Sequence, residues 1–295
     1  MISMMIRRKI REMLAEDIGF ADITSEALVP KDAEAEAEIT AKQRGVLAGM
    51  VEAVITFDEV GARAKLVKKD GQRIRPGDVV MRVEGSTRGI LAAERTALNL
   101  LMRMSGVATA TREMLERARK VSPNVIIAAT RKTMPLWSYF DKRAVRVGGG
   151  DPHRFRLDDC VVAKDNHVRL IGSIEEAVRR AREASFSKKV EIEVNKPKDA
   201  LEAARVGADI VMLDNMKPTD VKRTVKLITK AGLRGNVMLE ASGGIDPSNV
   251  GSYAASGVDV ISSSYMTLRA SALDMSLEIR KGLKSSYAKH KQRLR

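Results

Sequence analysis

Apolar and polar positions alternate with different periods in different parts of the chain. Over residues 6–15 the apolar positions recur at helical spacing, and EDIGFADIT (16–24) ends that helix at Gly19. Between residues 37 and 83 short alternating runs are punctuated by Gly45, Gly61, Gly71 and Pro76-Gly77. AEITAKQRGVLAG, AKLVKKDGQRI and GDVVMRVEG therefore predict antiparallel strands with tight turns. Residues 91–110 return to a helical period through Leu98, Leu101, Met102 and Val107.

After Gly106 a different unit repeats: an apolar strand, a polar tip, a helix. The strands are expected at 125–129, 160–163, 190–192, 210–213, 237–239 and 258–261. Their tips are Thr130-Arg131-Lys132, Lys164-Asp165-Asn166, Glu193, Asp214-Asn215, Glu240 to Gly244, and Ser262 to Ser264. Helical spacing follows at 173–184, 198–206, 219–231 and 247–256. Strands alternating with helices imply parallel strands with right-handed crossovers. About six units are visible, fewer than the eight of a full barrel. The fold class is thus α/β: an α+β N-terminal domain over 1–106 and an incomplete, TIM-like barrel over 107–269. A C-terminal helix over 270–295 is expected to pack back on the first domain. A doubly wound sheet is the structural alternative, and Ser242-Gly243-Gly244 after a late strand favours the barrel.

Composition narrows the class. The chain has 295 residues, is 44 % hydrophobic and carries a net charge of +14. No apolar run approaches the roughly 20 residues of a membrane span, and MISMMIRRKIREML reads as a retained amphipathic helix. Nucleic-acid sites pair basic residues with stacking aromatics, and aromatics are only 3 % here, so nucleic acid is not expected as a partner. Much of the basic excess lies in KGLKSSYAKHKQRLR, read as a solvated helical end. The single cysteine, Cys160, fits a reducing cytoplasm and reads as a small hydrophobe, not a nucleophile.

The candidate chemistry concentrates in 129–167, ATRKTMPLWSYFDKRAVRVGGGDPHRFRLDDCVVAKDNH. Arg131, Lys132, His153, Arg154 and Lys164 stand beside apolar strands, and Gly148-Gly149-Gly150 reads as a flexible loop. Cations at strand ends with such a loop describe a pocket for a small polyanion. Parallel strands place all their C-terminal tips on one rim, so these groups converge. Glu193 and Asp214, 21 residues apart, occupy neighbouring tips, suited to a hydrated Mg²⁺ or to ribose hydroxyls. Ser242-Gly243-Gly244 offers unobstructed backbone N–H groups for a phosphate. Arg95, beside Glu94, reads on its own as a surface charge.

The segments EDIGFADIT, ERTALNLLMRMSGVAT, TRKTMP, AVRVGGGDPHR, KDNH, VEIEVN, GADIVMLDN, LEASGGI and GVDVIS, in this order from residue 16 to about 262, resemble one family. It is nicotinate-nucleotide pyrophosphorylase (carboxylating), or quinolinate phosphoribosyltransferase, a pentosyltransferase of NAD biosynthesis. The resemblance implies that quinolinate and phosphoribosyl pyrophosphate give nicotinate mononucleotide, pyrophosphate and CO₂. It implies an open-faced N-terminal domain, a Mg²⁺ requirement and a homodimer or larger homo-oligomer with shared sites. It assigns Arg131, His153 and Arg154 to the quinolinate carboxylates, and Lys132 and Lys164 to substrate and pyrophosphate. Glu193 and Asp214 would face the ribose and the metal-bound pyrophosphate; Ser242, Gly243, Gly244 and Ser264 would hold the 5′-phosphate. Arg95 in ERTALN would come from the neighbouring subunit. Ala129, Asp151-Pro152, Arg156 and Ser264 depart from the family pattern. Trp137 and Tyr139 read as packing groups. A molybdenum-transport-associated paralogue acting on another anion, and a basic binding protein without catalysis, are the competing readings.

Overall fold

Helix α1 (Ile2–Ile18) buries Ile6, Ile10 and Leu14, about one residue per turn. The computed structural model describes residues 2–284. It divides into one unit of Met1–Thr109 with Ser271–Arg295, and a second of Ala110–Ala270.

In the first unit α2 (Ile23–Leu28) starts at Asp22, whose carboxylate accepts the Ser25 N–H. Strand β1 (Glu34–Ala41) turns Ala35, Ala37 and Ile39 inward and its glutamates outward. Strand β2 (Gly45–Val46) leads to α3 (Met50–Glu59), where Met50, Ala53 and Phe57 are buried at helical spacing. Arg7 donates to Asp58 at 2.7 Å and to Glu59 at 2.8 Å, joining α1 to the end of α3. Strand β3 (Arg63–Leu66) pairs antiparallel with β5 (Val79–Ser86), and β4 (Arg73–Ile74) with β2. Registers Ala37 with Val83 and Ile39 with Met81 keep one apolar face on β1 and β5. Helix α4 (Thr87–Arg119) starts in this unit, and its residues from Ala110 belong to the second.

The second unit runs β6 (Ile126–Ala128), α5 (Ser138–Gly148), β7 (Val161–Ala163), α6 (Asp165–Ile171), α7 (Ile174–Ala184), β8 (Val190–Val194) and α8 (Pro197–Arg205). It continues through β9 (Ile210–Asp214), α9 (Pro218–Lys230), β10 (Met238–Ser242), α10 (Val250–Ala254), β11 (Val260–Ser262) and α11 (Tyr265–Leu268). All six strands are parallel, in the order β6-β11-β10-β9-β8-β7. The first strand pairs with the last, so the sequence order runs round a ring that opens only between β6 and β7. At that opening Asp151 bridges to Ala128, with Ala129 N–H donating to Asp151 O and Asp151 N–H to Ile127 O. One residue takes the place of a strand, and this is an incomplete barrel.

Registers sort the side chains. Glu193 stands opposite Met212, Met212 opposite Glu240, and Asp214 opposite Ser242, so these groups share the inner face. Ile192, Val211, Leu213, Leu239, Ala241 and Ile261 point the other way and are fully buried. That apolar outer face is what the helices cover.

Two expectations are corrected. Gly148-Gly149-Gly150 is not a flexible cradle. Gly149, at φ 96°, ends α5, and a Cβ on Gly150 would lie 2.7 Å from Thr111 Cγ2 and 2.9 Å from Ile127 O. The run is a helix stop and a close packing point. The expected C-terminal helix begins instead as β12 (Met275–Lys284), antiparallel to β1. Met275, Leu277 and Ile279 alternate with Ser276, Glu278 and Arg280, and Glu38 on β1 takes Arg82 at 2.9 Å and Arg280 at 3.0 Å. A charged two-residue period suits an edge strand better than a helix. Residues 285–295 lie outside the described residues.

A Cβ on Gly106, inside α4, would sit 2.1 Å from the Ser271 carbonyl oxygen. Helix propensity favours alanine there by about 1 kcal/mol, whereas overpacking against backbone costs about 1–3 kcal/mol or more. The clash wins. Gly106→Ala is expected to lower the urea midpoint, and a raised midpoint would contradict the packing.

Candidate active site

The strand tips of the second unit form three clusters. The first is a cavity of 200 Å³ lined by Thr130, Lys132, Ser242, Gly243, Gly244, Ser263, Ser264, Tyr265 and Arg269, with Ile245, Asp246 and Ser262. It brings together five of the expected residues: Lys132, Ser242, Gly243, Gly244 and Ser264. Gly243 has φ +98° and packs under Asn215, whose Oδ1 is 2.2 Å from the position of a Cβ. Only glycine fits this turn. Asn215 N–H donates to Ser242 O at 2.8 Å, which ties the turn to the end of β9. Asp246 brings a carboxylate to the lining, but its Oδ1 accepts from Ser248 N–H at 2.7 Å and Oγ–H at 2.5 Å. These bonds hold its pKa below the usual range. Lys132 and Arg269 leave the cavity cationic, with small backbone-rich walls, a lining whose chemistry suits a phosphate monoester.

The second cluster, a cavity of 230 Å³, is lined by Glu193 and Asp214 with Asp165, Val168, Arg169, Ile174, Val194, Asn195 and Asp199. Lys164, the residue before α6, donates to Glu193 Oε2 at 2.5 Å. Asn215 Nδ2 donates to Asp214 Oδ2 at 2.6 Å. Asn215 thus orients a carboxylate in one cluster and a glycine turn in the other. This donor set is all hard oxygen, the kind that suits Mg²⁺.

The third cluster holds Arg131 in a 530 Å³ cavity with Thr133, Ser138, Phe155, Arg156, Leu157 and Asp158. Arg156 is paired with Asp158 at 3.3 Å. Arg154 donates through Nη1 to Cys160 O at 3.3 Å, which sets it beside β7.

His153, expected to meet a carboxylate of quinolinate, lies against two carboxylates of its own chain. Its Nε2 lies 3.2 Å from Glu240 Oε2 and 3.3 Å from Glu191 Oε2, and its Nδ1 accepts the Arg154 N–H at 2.8 Å. Both ring nitrogens are engaged within the chain. Burial and the Arg154 N–H oppose a second proton, but the two carboxylates outweigh them and raise the imidazole pKa. Arg95 lies exposed on α4 in the first unit.

Sequence reasoning placed Thr130 and Glu240 at strand tips without a role, and missed Tyr265 and Arg269 in the first cavity and the buried Lys142 and Glu191. The two glutamates had a signal. In VEIEV, Glu191 is two residues before Glu193, and in LEAS, Glu240 is two before Ser242; a strand's period of two puts each pair on one face. Of the departures, Ala129 is fully buried, and Asp151 Oδ1 accepts the His153 N–H at 2.6 Å. Trp137 and Tyr139 each pack on Phe140 with centroids 5.4 Å apart.

The quinolinate phosphoribosyl transferase C-terminal domain profile matches residues 107–278, and the N-terminal domain profile matches residues 22–105. The chain belongs to this family. A probable nicotinate-nucleotide pyrophosphorylase [carboxylating] of Methanothermobacter thermautotrophicus is 51 % identical over 276 residues, 93 % of this chain and 99 % of that one. The Homo sapiens nicotinate-nucleotide pyrophosphorylase [carboxylating] is 39 % identical over 254 residues, 86 % of this chain and 85 % of that one. The crystal structure of NadC from Streptococcus pyogenes superposes with a TM-score of 0.87 at 35 % identity, covering 94 % of this chain and 98 % of that one. Among the described residues no helix is long and apolar enough to cross a membrane.

Cys160 stands beside Arg154 without being a nucleophile. Its Sγ is 3.2 Å from Lys189 O, and burial, then Glu191, pushes its pKa up to about 11. A thiol raised two units above its ordinary value has about a hundredth of the usual thiolate at neutral pH. Iodoacetamide at pH 7.5 is therefore expected to label Cys160 about a hundredfold more slowly than a free thiol. Labelling at the free-thiol rate would place the thiol in an open, polar site.

Proposed function

We infer that the protein transfers the phosphoribosyl group of phosphoribosyl pyrophosphate to quinolinate with loss of CO₂, giving nicotinate mononucleotide and pyrophosphate. The observation that carries this reading is the pairing, on one face of one parallel sheet, of a cationic phosphate cavity with a carboxylate cavity. A sugar phosphate activated at C1′ needs both: an anion site for its 5′-phosphate and oxygen ligands beside its ribose and pyrophosphate. Family membership supplies the acceptor.

The chemistry is electrostatic. The pyridine nitrogen attacks C1′, the C1′–O bond to pyrophosphate breaks, and the ring becomes a pyridinium. That positive nitrogen stabilises the electron pair left when the adjacent carboxylate departs as CO₂, and a proton takes its place on the ring. Lys132 and Arg269 hold the 5′-phosphate with the Ser242–Gly244 turn and Ser264. Arg131 and Arg154 carry the planar guanidinium forks that suit the two carboxylates of the acceptor. Glu193 and Asp214 face the developing positive charge at C1′, and Lys164, poised on Glu193, is available to the pyrophosphate. Bringing two polyanions together costs Coulomb repulsion, which this cation set offsets. Glu193 and Asp214, with Asp165 and Asp199 in the same cavity, fit Mg²⁺, which would add positive charge against the departing pyrophosphate.

Two further parts of the reading concern assembly and setting. Arg95, exposed on α4 in ERTALN, completes the site of a second copy of the chain, so that the working form is a homodimer or larger. The single cysteine, half-buried and kept as a thiol, suits the reducing cytoplasm.

Purified protein with Mg²⁺, phosphoribosyl pyrophosphate and quinolinate is expected to release nicotinate mononucleotide and CO₂, with nicotinate a poor replacement. A folded sample giving neither product contradicts the reading. Lys132→Ala and Lys164→Ala are expected to lower kcat by about a hundredfold or more. Both side chains are exposed, so the unfolding midpoint should stay within about 2 °C. A large loss of stability would make them structural. Arg95→Ala co-assembled with Lys164→Ala should regain part of the activity, because one composite site is then intact. Verified mixed dimers without recovery would exclude the shared site.

A further inference from the structure

Lys142 on α5 (0 % exposed), Glu191 on β8 (0 %) and Glu240 on β10 (1 %) are among the ionisable side chains of the second unit sealed from solvent. They come from three separate elements, and they converge on one tripeptide, Pro152-His153-Arg154. Lys142 Nζ donates to Pro152 O and to Arg154 O, each at 2.5 Å. These are the carbonyls immediately before and after His153. The same ammonium lies 5.4 Å from the centroid of the Phe155 ring. On the inner side the imidazole sits against Glu240 at 3.2 Å and Glu191 at 3.3 Å. The loop is therefore held by its backbone from α5 and by its side chain from β8 and β10.

The arrangement is costly for a loop that only connects two elements. His153 has φ 53°, a conformation that side chains other than glycine rarely adopt. A buried ammonium and two buried carboxylates each give up hydration, and an apolar cluster would pack the same volume more stably. Apart from the imidazole, Glu191 and Glu240 find no satisfaction in the fold: Oε1 of each accepts no hydrogen bond. What the three charges do achieve is a fixed position for His153 and for the residue after it. Arg154 has its N–H on His153 Nδ1 and its guanidinium beside β7. A guanidinium recognises a carboxylate through two parallel bonds only when its backbone is held to within a fraction of an ångström.

We propose that Lys142, Glu191 and Glu240 are positioning residues that clamp the His153-Arg154 loop, so that Arg154 is preset for a carboxylate of the aromatic diacid. This rests on the function proposed above and deepens it: acceptor recognition depends on a buried clamp, whereas the sugar-phosphate donor is held by the separate cavities at the tips of β8, β9, β10 and β11. Gly149 and Gly150 serve the clamp by ending α5 sharply and letting the chain pass close to β6, which sets the distance from Lys142 to the loop.

The test is a separation of the two substrates. Wild-type turnover of quinolinate comes first; its absence removes the substrate and the proposal with it. In an active enzyme, Lys142→Met keeps the length of the side chain and removes the donors. It is expected to raise KM for quinolinate about thirtyfold while KM for phosphoribosyl pyrophosphate stays within about twofold. Calorimetry with quinolinate alone should show a similar loss of affinity. If Lys142→Met does not fold, Glu240→Gln, which keeps the shape, is expected to act the same way at about tenfold and to move the His153 ring-nitrogen resonances at fixed pH. Equal changes in both KM values, or no change in a folded variant, would make the cluster merely structural. His153 Nε2 and the two carboxylates lie within 4.8 Å of one another, so a metal is the rival occupant. One equivalent of Mn²⁺ retained by the wild type after dialysis and lost in Glu240→Gln would overturn the clamp in favour of a metal site.

Discussion

Parallel strand direction is the constraint on which the second unit depends. Every strand ends on the same side, and a period of two keeps alternate residues on one face, so each strand offers one inner side chain at its tip and another two residues deeper. On β8 these are Glu193 and Glu191, and on β10 they are Ser242 and Glu240. The upper layer meets solvent and lines the two cavities at the strand tips. The lower layer is sealed and holds the loop that reaches in from the open side between β6 and β7. The missing strand is part of the same design. Asp151 fills the strand position with one residue, and the chain after it turns inward to bring His153 to the centre.

Stability and function draw on different residues in this arrangement. The outer face of the sheet is apolar and fully buried, with Ile192, Val211, Leu213, Leu239 and Ile261 under the helices, and its burial is a source of hydrophobic stabilisation. The charges at the tips contribute little, because partly exposed pairs such as Lys164–Glu193 give at most about 1 kcal/mol. They are free to respond to ligands. The buried charges are the opposite case, since each is retained at a cost in hydration, and the loop geometry they enforce is the compensating gain.

Much of this was legible from residues alone. The six strand–tip–helix units follow from period changes that survive folding, because a buried parallel strand must be apolar and its C-terminal end must be polar. The same logic located Lys132, Lys164, Glu193, Asp214 and Ser242 to Gly244 at strand ends. The failures have physical causes. Helix α3 is missing from the expected elements, because the β-branched Val51, Val54 and Ile55 mask the helical period of Met50, Ala53 and Phe57. Strand β12 is rich in Lys, Arg and Glu, and the charges hid the alternation of Met275, Leu277 and Ile279. The glycine run was read by composition as a loop, whereas its role comes from Thr111 and Ile127, which no local window contains. Lys142 carried no signal, because a lysine at that spacing on a helix is ordinarily a solvated residue. Its burial depends on where Pro152 and Arg154 come to lie, which is a tertiary outcome.

In the proposed function, the strand tips of one sheet divide the substrates between them. A crystal structure of the protein with quinolinate and a non-hydrolysable analogue of phosphoribosyl pyrophosphate tests it most directly. The account predicts the 5′-phosphate between Lys132, Arg269 and the Ser242–Gly244 turn, the ribose and pyrophosphate against Glu193 and Asp214, and a quinolinate carboxylate on Arg154. A 5′-phosphate bound on the side of Asp214 away from Gly243, or quinolinate bound without Arg154, would contradict it.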